Sequence, residues 1–253
     1  MKELLLISTY VAAWMALFMP LFVHIWKRIF SKIDFSPFRY CQVTFNEAGP
    51  ILDVMCSVLG YGFDQSINKI SVKVRHQETE QAHNFEWLLF MPTILPLNKN
   101  NPQFQLSTPQ FLKVGESINM NVRLVDPSSH EQFMEKTRLF AKDYYDYKLE
   151  NFINPNDFNS EQEIEAYEEF KGTDTHRQFY EYLKDNFFWK VGEYSADIII
   201  DTGKNNRSYQ YNYKFSLSEK DVDLIKLNCV GVIMKICTDD NRFFLAEKKL
   251  EKV

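Results

Sequence analysis

The sequence predicts a membrane-anchored, mainly antiparallel β-sandwich domain that carries an α-helical insertion. Three observations lead there. Leu4 to Trp26 contains no Asp, Glu, Lys or Arg. From about Phe35 the apolar residues recur with period two, and between His130 and Phe188 the period becomes helical. The 253 residues therefore divide into an anchor with its basic flank, residues 1–34, and one domain, residues 35–253, with the insertion at about 130–188.

The first stretch reads LLLISTYVAAWMALFMPLFVHIW, 23 residues. As a helix rising about 1.5 Å per residue it would cover about 34 Å, against a hydrocarbon core of about 30 Å. Trp26, followed by Lys27 and Arg28, suits an interfacial belt, whereas Trp14 falls near mid-span. Pro20 is tolerated in a membrane helix as a kink. A cleaved signal peptide would need a shorter apolar core and a small-residue cleavage site, where this chain has Trp-Lys-Arg. Lys27, Arg28 and Lys32 outnumber Lys2, so the charge rule predicts a single-pass protein with its domain on the cytoplasmic side. The first expected partner is the lipid bilayer, contacted through this helix.

The strands follow in order. Leu52, Val54, Cys56 and Val58 alternate with Asp53, Met55 and Ser57, and Ile70, Val72 and Val74 alternate with Lys69, Ser71, Lys73 and Arg75. A turn at 77–82 leads to Phe85, Trp87, Leu89 and Met91. After the Asn- and Pro-containing stretch 97–103, Ile118, Met120, Val122 and Leu124 make another strand. Late in the chain Tyr194, Ala196, Ile198 and Ile200 alternate with Ser195, Asp197 and Asp201. A turn at 203–206 then precedes an aromatic row, Tyr209, Tyr211, Tyr213 and Phe215, on one face of a partner strand.

The insertion reads as three helices. Phe133, Thr137, Phe140, Tyr144 and Tyr147 share one face of the first. Ser160 with Glu163 has the spacing of a capping box and opens a second, acidic helix through about Lys171. Phe179, Leu183 and Phe187 line the third. Beyond the late strands, 218–228 reads as a short helix. Val230–Ile236 with Phe243–Ala246 reads as a closing hairpin, a helix being the alternative there.

Gly192-Glu193-Tyr194, opening a late strand, resembles the tyrosine-corner region of immunoglobulin-like sandwiches, in which a Tyr near a strand start bonds back to the chain upstream. The resemblance covers about ten residues and implies an immunoglobulin-like sandwich. The Cys…Trp…Cys pattern of true immunoglobulin domains is missing, and no function follows from architecture alone.

Composition narrows the function. A net charge of −5 and a pI near 5.6 argue against nucleic acid as a partner. With only 8 Gly in the chain, glycine-rich phosphate loops have little to build on, and no P-loop, G-x-G-x-x-G, H-E-x-x-H or G-x-S-x-G occurs. Cys41, Cys56, Cys229 and Cys237 match no zinc spacing, and Cys56 reads as a buried free thiol. The sequon Asn206-Arg207-Ser208 is a single chance match. His24, His76, His83, His130 and His176 are isolated along the chain; His76 and His83 flank one predicted turn and read as two solvated turn residues. Glu161, Glu163, Glu165, Glu168 and Glu169 read as a solvated helix face. No catalytic residue, metal ligand or cofactor is expected from these patterns.

The aromatics of the insertion point to contacts. Tyr144-Tyr145 and Phe179-Tyr180 are adjacent pairs, and adjacent residues cannot share one buried helix face. Tyr145, Tyr180 and Tyr182 are therefore the candidate partner-contact residues, since exposed Tyr is enriched at protein interfaces. The leading expectation is a non-enzymatic protein whose domain binds a protein partner through its helical insertion. The alternatives are a tethered enzyme with its site where insertion meets sandwich, and an assembly subunit docking through the membrane helix.

Overall fold

The computed structural model describes residues 2–62, 64–92, 105–152, 158–203, 207–238 and 242–253, and the side chains of these residues other than 2–13, 27, 28, 39, 91 and 92. Period-two segments form the long strands β1 (Lys32–Asn46), β2 (Gly49–Tyr61), β3 (Gln65–His76) and β4 (Ala82–Pro92). Two short strands follow, β5 (Gln105–Leu106) and β6 (Gln110–Leu112), and then β7 (Ser117–Val125). After the helical insertion come β8 (Gly192–Thr202), β9 (Ser208–Leu217) and two C-terminal pieces, β10 (Ala246–Lys249) and β11 (Glu251–Lys252).

These strands make one sheet, not the two of a sandwich. Its order is β10-β1-β2-β7-β4-β3-β8-β9-β11, antiparallel throughout. β10 pairs β1 at one end of that order and β11 pairs β9 at the other, and a single residue, Leu250, separates them. The C-terminal strand thus joins the two edges, and the sheet curls into a nearly closed barrel. The expected immunoglobulin-like sandwich is overturned by this pairing. Alternating apolar residues bury one face of a strand equally well in either architecture, so the pattern alone does not separate them. Near one end β3 and β4 part, and β6 and β5 pair with them there.

Closure is incomplete at one place. β10 covers only Tyr40–Val43 of β1, leaving the first half of that strand opposite β9 without a ladder. Side chains stitch this seam instead. The Tyr209 hydroxyl donates to the Ser31 carbonyl (3.1 Å), and the Tyr211 hydroxyl donates to that of Ile33 (2.5 Å). Phe35 packs its ring against Tyr211 and Tyr213. Carbonyls 31 and 33 face the seam, so by alternation Pro37 lies along the same edge, where it has no N–H to offer an incoming strand.

The interior is a packed core. Phe35, Val54, Cys56, Val72, Leu124 and Ile198 meet across it, all buried. The space among them leaves no room for a water molecule. An antiparallel barrel of about eight staves is just wide enough for side chains to fill.

The helices close one end. Helix α2 (Pro127–Asn151), α3 (Ser160–Phe170) and α4 (Asp174–Asp185) lie between β7 and β8, and α5 (Glu219–Lys226) and α6 (Asn228–Thr238) between β9 and β10. Phe133 of α2 meets Phe45 edge-on at 5.5 Å. Trp189, just before β8, stacks on Phe85 and donates its indole N–H to the Thr44 carbonyl at 2.8 Å. Gly49 shows how close the approach is: its φ is +89°, and a Cβ there would sit 2.6 Å from the Phe133 ring. The insertion is therefore the lid of the barrel's core, not an appendage to it.

Two local expectations shift. The second helix is capped by Asn159 with Gln162, one residue ahead of the Ser160–Glu163 pair. Val230–Ile236 lies within helix α6, so the closing hairpin is replaced by a helix followed by β10; the turn expected at 239–241 falls outside the described residues. Stretches 97–103 and 204–206, with Asn206 of the sequon, also fall outside them.

The membrane anchor is corrected as well. The N-terminal segment forms α1 (Lys2–Ile29), which runs through Pro20. Among the described residues no helix is long and apolar enough to cross a membrane. The described side chains of its apolar stretch run from Trp14 to Trp26, 13 residues, or about 20 Å of helix against the roughly 30 Å required. Leu4 lies outside the described side chains. Single-pass topology, cytoplasmic sidedness and docking through a membrane helix are therefore not carried forward. Trp14, Phe18, Phe22, Trp26 and Phe30 form an exposed i, i+4 row, with Trp14 and Phe18 stacked at 5.0 Å.

Candidate functional site

A filled barrel has no internal ligand site, so function is sought on the outside. Chemistry-bearing side chains converge where β7 hands over to α2. Asp126-Pro127-Ser128 is a helix start, with an Asx cap followed by proline in the first turn. The Asp126 carboxylate accepts from the Ser128 amide (2.9 Å) and from its hydroxyl (2.5 Å). Its second oxygen accepts from His83 Nδ1 at 2.6 Å. His83 stands near the start of β4, and Phe188 packs on its ring with centroids 4.0 Å apart. Three separate pieces of chain thus meet: barrel wall, helix N-terminus and the linker into β8.

The partners differ in exposure, 5 % for the Asp126 side chain and 24 % for that of His83. Because the carboxylate only accepts, Nδ1 carries the proton and Nε2 is left with its lone pair. The nearest group to Nε2 among the described residues is the Gln81 amide nitrogen at 3.5 Å, too long for a firm bond. Beside the ring lies an open cleft of about 330 Å³, whose lining includes Asn84, Glu86 and Ser128. Burial alone would push the Asp126 carboxyl up. The hydrogen bonds from His83 and Ser128 outweigh it and hold the group below its ordinary value.

A depressed carboxyl contributes stability above its unfolded pKa and loses it as pH falls through the folded one. Asp126→Ala is therefore expected to lower stability near neutral pH by about 1–2 kcal/mol, the worth of a helix cap. The gap from the parent protein should close below about pH 4. Urea unfolding of both proteins across that range measures it.

The two hairpin histidines part company. His76 is 2 % exposed; its Nε2 donates to the Val191 carbonyl (2.9 Å), and its Nδ1 accepts from the Thr79 amide (3.2 Å). It locks the turn after β3 to the strand opposite. Gly192, at φ +137°, is the residue that lets the chain pass, since a Cβ would lie 2.6 Å from His76 Nε2. Two solvated turn residues was thus the wrong description of both. Among the described residues no three His, Cys, Asp or Glu side chains group as metal ligands.

All four cysteines are free and buried. Burial pushes the Cys41, Cys56 and Cys237 thiols up to about 12 and that of Cys229 to about 11, which leaves them poor nucleophiles. In the acidic helix Glu161, Glu165, Glu168 and Glu169 are exposed, but Glu163 is not a solvent residue. It pairs with Lys148 of α2 (3.0 Å), whose ammonium lies over the Tyr144 ring, and so clamps α3 to α2. Tyr194 does bond back upstream, its hydroxyl donating to the Lys190 carbonyl and accepting from the Lys190 amide.

The three candidate contact residues are placed apart. Tyr145 is 43 % exposed beside Tyr144 at 3 %. Tyr180 is half-buried beside Lys184, and Tyr182 turns inward onto Phe133 at 5.4 Å. Tyr182 also lines a shallow groove with Lys136, Leu139, Asp143 and Gln178 between α2 and α4. The Asp126–His83 pair was absent from the expected residues; Asp-Pro-Ser was visible as a cap signal, but a partner 43 residues away was not. The fold and site define a helix-capped antiparallel barrel. No protein-family model, curated protein or solved structure matched the chain.

Proposed function

We propose that the chain is a protein-contact module that receives its partner on the outer face of α2. What supports this is a second apolar stripe on that helix. Phe133, Phe140 and Tyr144 face the core, while Met134, Tyr145 and Leu149 are 46 %, 43 % and 49 % exposed. With Ala141 these fall within about 80° of the helix surface. Ion pairs Arg138–Glu135 and Lys142–Asp146 accompany the stripe, the polar surround that a contact patch carries. The outward residues of β9, by contrast, are Ser208, Gln210, Asn212, Lys214 and Ser216.

Of the three tyrosines, Tyr145 carries this reading, and Tyr180 and Tyr182 are peripheral to it. Deleting 130–188 is no test, because Phe133 and its neighbours close the barrel core. Tyr145→Glu with Leu149→Glu is the suitable variant. Both positions are exposed, so thermal stability should stay within about 0.5 kcal/mol of the parent. The complex isolated from cells, sized by native mass spectrometry, should be lost. Retention of the complex with both charges in place would sink the proposal.

A further inference from the structure

We propose that His83 and Asp126 form a proton-abstracting pair that activates water against small, uncharged carboxylic esters held in the cleft beside them. The site lies at the N-terminal end of α2 and does not rest on the contact reading. A clasp between barrel and helix would need only the Nδ1 side of the imidazole. Here the other nitrogen is presented to a cleft of about 330 Å³, within the range of small-molecule sites. Asp126 fixes the tautomer and is itself fixed by two bonds from Ser128, and Phe188 packs against the ring. Orientation is thus set before any ligand arrives.

The lining also selects the substrate. Asp126 and Glu86 are the charged groups beside the imidazole, and Lys69, the cation nearest them, is engaged by Glu86 at 2.7 Å. An anionic ester would meet two carboxylates, whereas a neutral one meets none of its own sign. Asn84 supplies the side-chain amide that can donate to a carbonyl oxygen.

The step balances without a further reactant. Nε2 takes a proton from water as the water oxygen bonds to the ester carbonyl carbon, and the C=O electron pair moves onto oxygen. Collapse re-forms C=O, breaks the bond to the alkoxy oxygen, and returns the proton from Nε2 to that leaving group. The products are a carboxylic acid and an alcohol. Asp126 touches no substrate and is a positioning residue.

The test uses the full chain with p-nitrophenyl acetate as the neutral probe and p-nitrophenyl hemisuccinate as the anionic one. The parent protein should release p-nitrophenolate at least tenfold faster than His83→Gln, with a sigmoidal rate profile between about pH 5 and 8. Asp126→Asn should lose at least tenfold while remaining folded, and the anionic probe should be the slower. Carbethoxylation of His83 in the folded parent, located by mass spectrometry, should abolish release in proportion and removes dependence on how the variants fold. A rate within twofold of His83→Gln, a rate linear in hydroxide, or full activity after carbethoxylation would overturn the proposal.

Discussion

Replacing Phe133 by alanine is expected to lower the stability of the whole chain by about 3–5 kcal/mol, the cost of emptying a buried phenylalanine site. The ring is 1 % exposed and is shared by two layers. It meets Phe45 of β1 edge-on at 5.5 Å and Tyr182 of α4 at 5.4 Å. For a domain of this size the melting temperature should fall by about 10 °C or more. The diagnostic part is cooperativity. If the helices are the lid of the core, far-ultraviolet and near-ultraviolet circular dichroism lose their signals at the same denaturant concentration, in parent and variant alike. Two separated transitions would mean that the helical layer is a domain of its own.

Gly49→Ala tests the same contact from the barrel side. The residue sits at φ +89°, and its new methyl would lie 2.6 Å and 2.8 Å from two Phe133 ring carbons. Left-handed strain of about 1–2 kcal/mol adds to overpacking of about 1–3 kcal/mol. A loss of about 2–5 kcal/mol is expected by urea denaturation. Removing the ring first should relieve the clash and leave the strain, so in the Phe133→Ala background the substitution should cost only about 1–2 kcal/mol. Additive losses would show that the two residues do not press on each other.

Local signals carried much of the fold into the sequence. Alternation placed β2, β3, β7, β8 and β9, because each buries one face and shows the other to solvent. Ser218 marked the start of α5 through its cap. Non-local pairing was not legible. The closing strand alternates like any other, and nothing in Ala246–Lys252 says that it bridges β1 to β9. The row Tyr209, Tyr211, Tyr213 and Phe215 was readable as one face. Its hydroxyls meet β1 carbonyls 178 residues away, which no periodicity encodes. Val230–Ile236 misled because an apolar run satisfies a strand and a buried helix alike. N-terminal hydropathy led to a membrane span that the described residues do not supply.

The site divides in the same way. Adjacent tyrosines on a helix had to part, and Tyr144 and Tyr145 do, at 3 % and 43 % exposure. Tyr182 points inward because its position on α4 is one turn from Phe179 and faces Phe133. A helical period alone does not say which neighbour a face will meet. His83 gave no signal, since its partner reaches it only through the β4–β7 pairing that precedes α2.

The central claim is that partners meet this chain on the outer face of α2, and site-directed photo-crosslinking in cells tests it most directly. A benzophenone side chain is placed at Tyr145 in one variant and at Gln210, on the outer wall of β9, in another. The account predicts a discrete light-dependent adduct of higher mass from position 145 and none from 210. An adduct from 210 with none from 145, or no adduct from either, would contradict it.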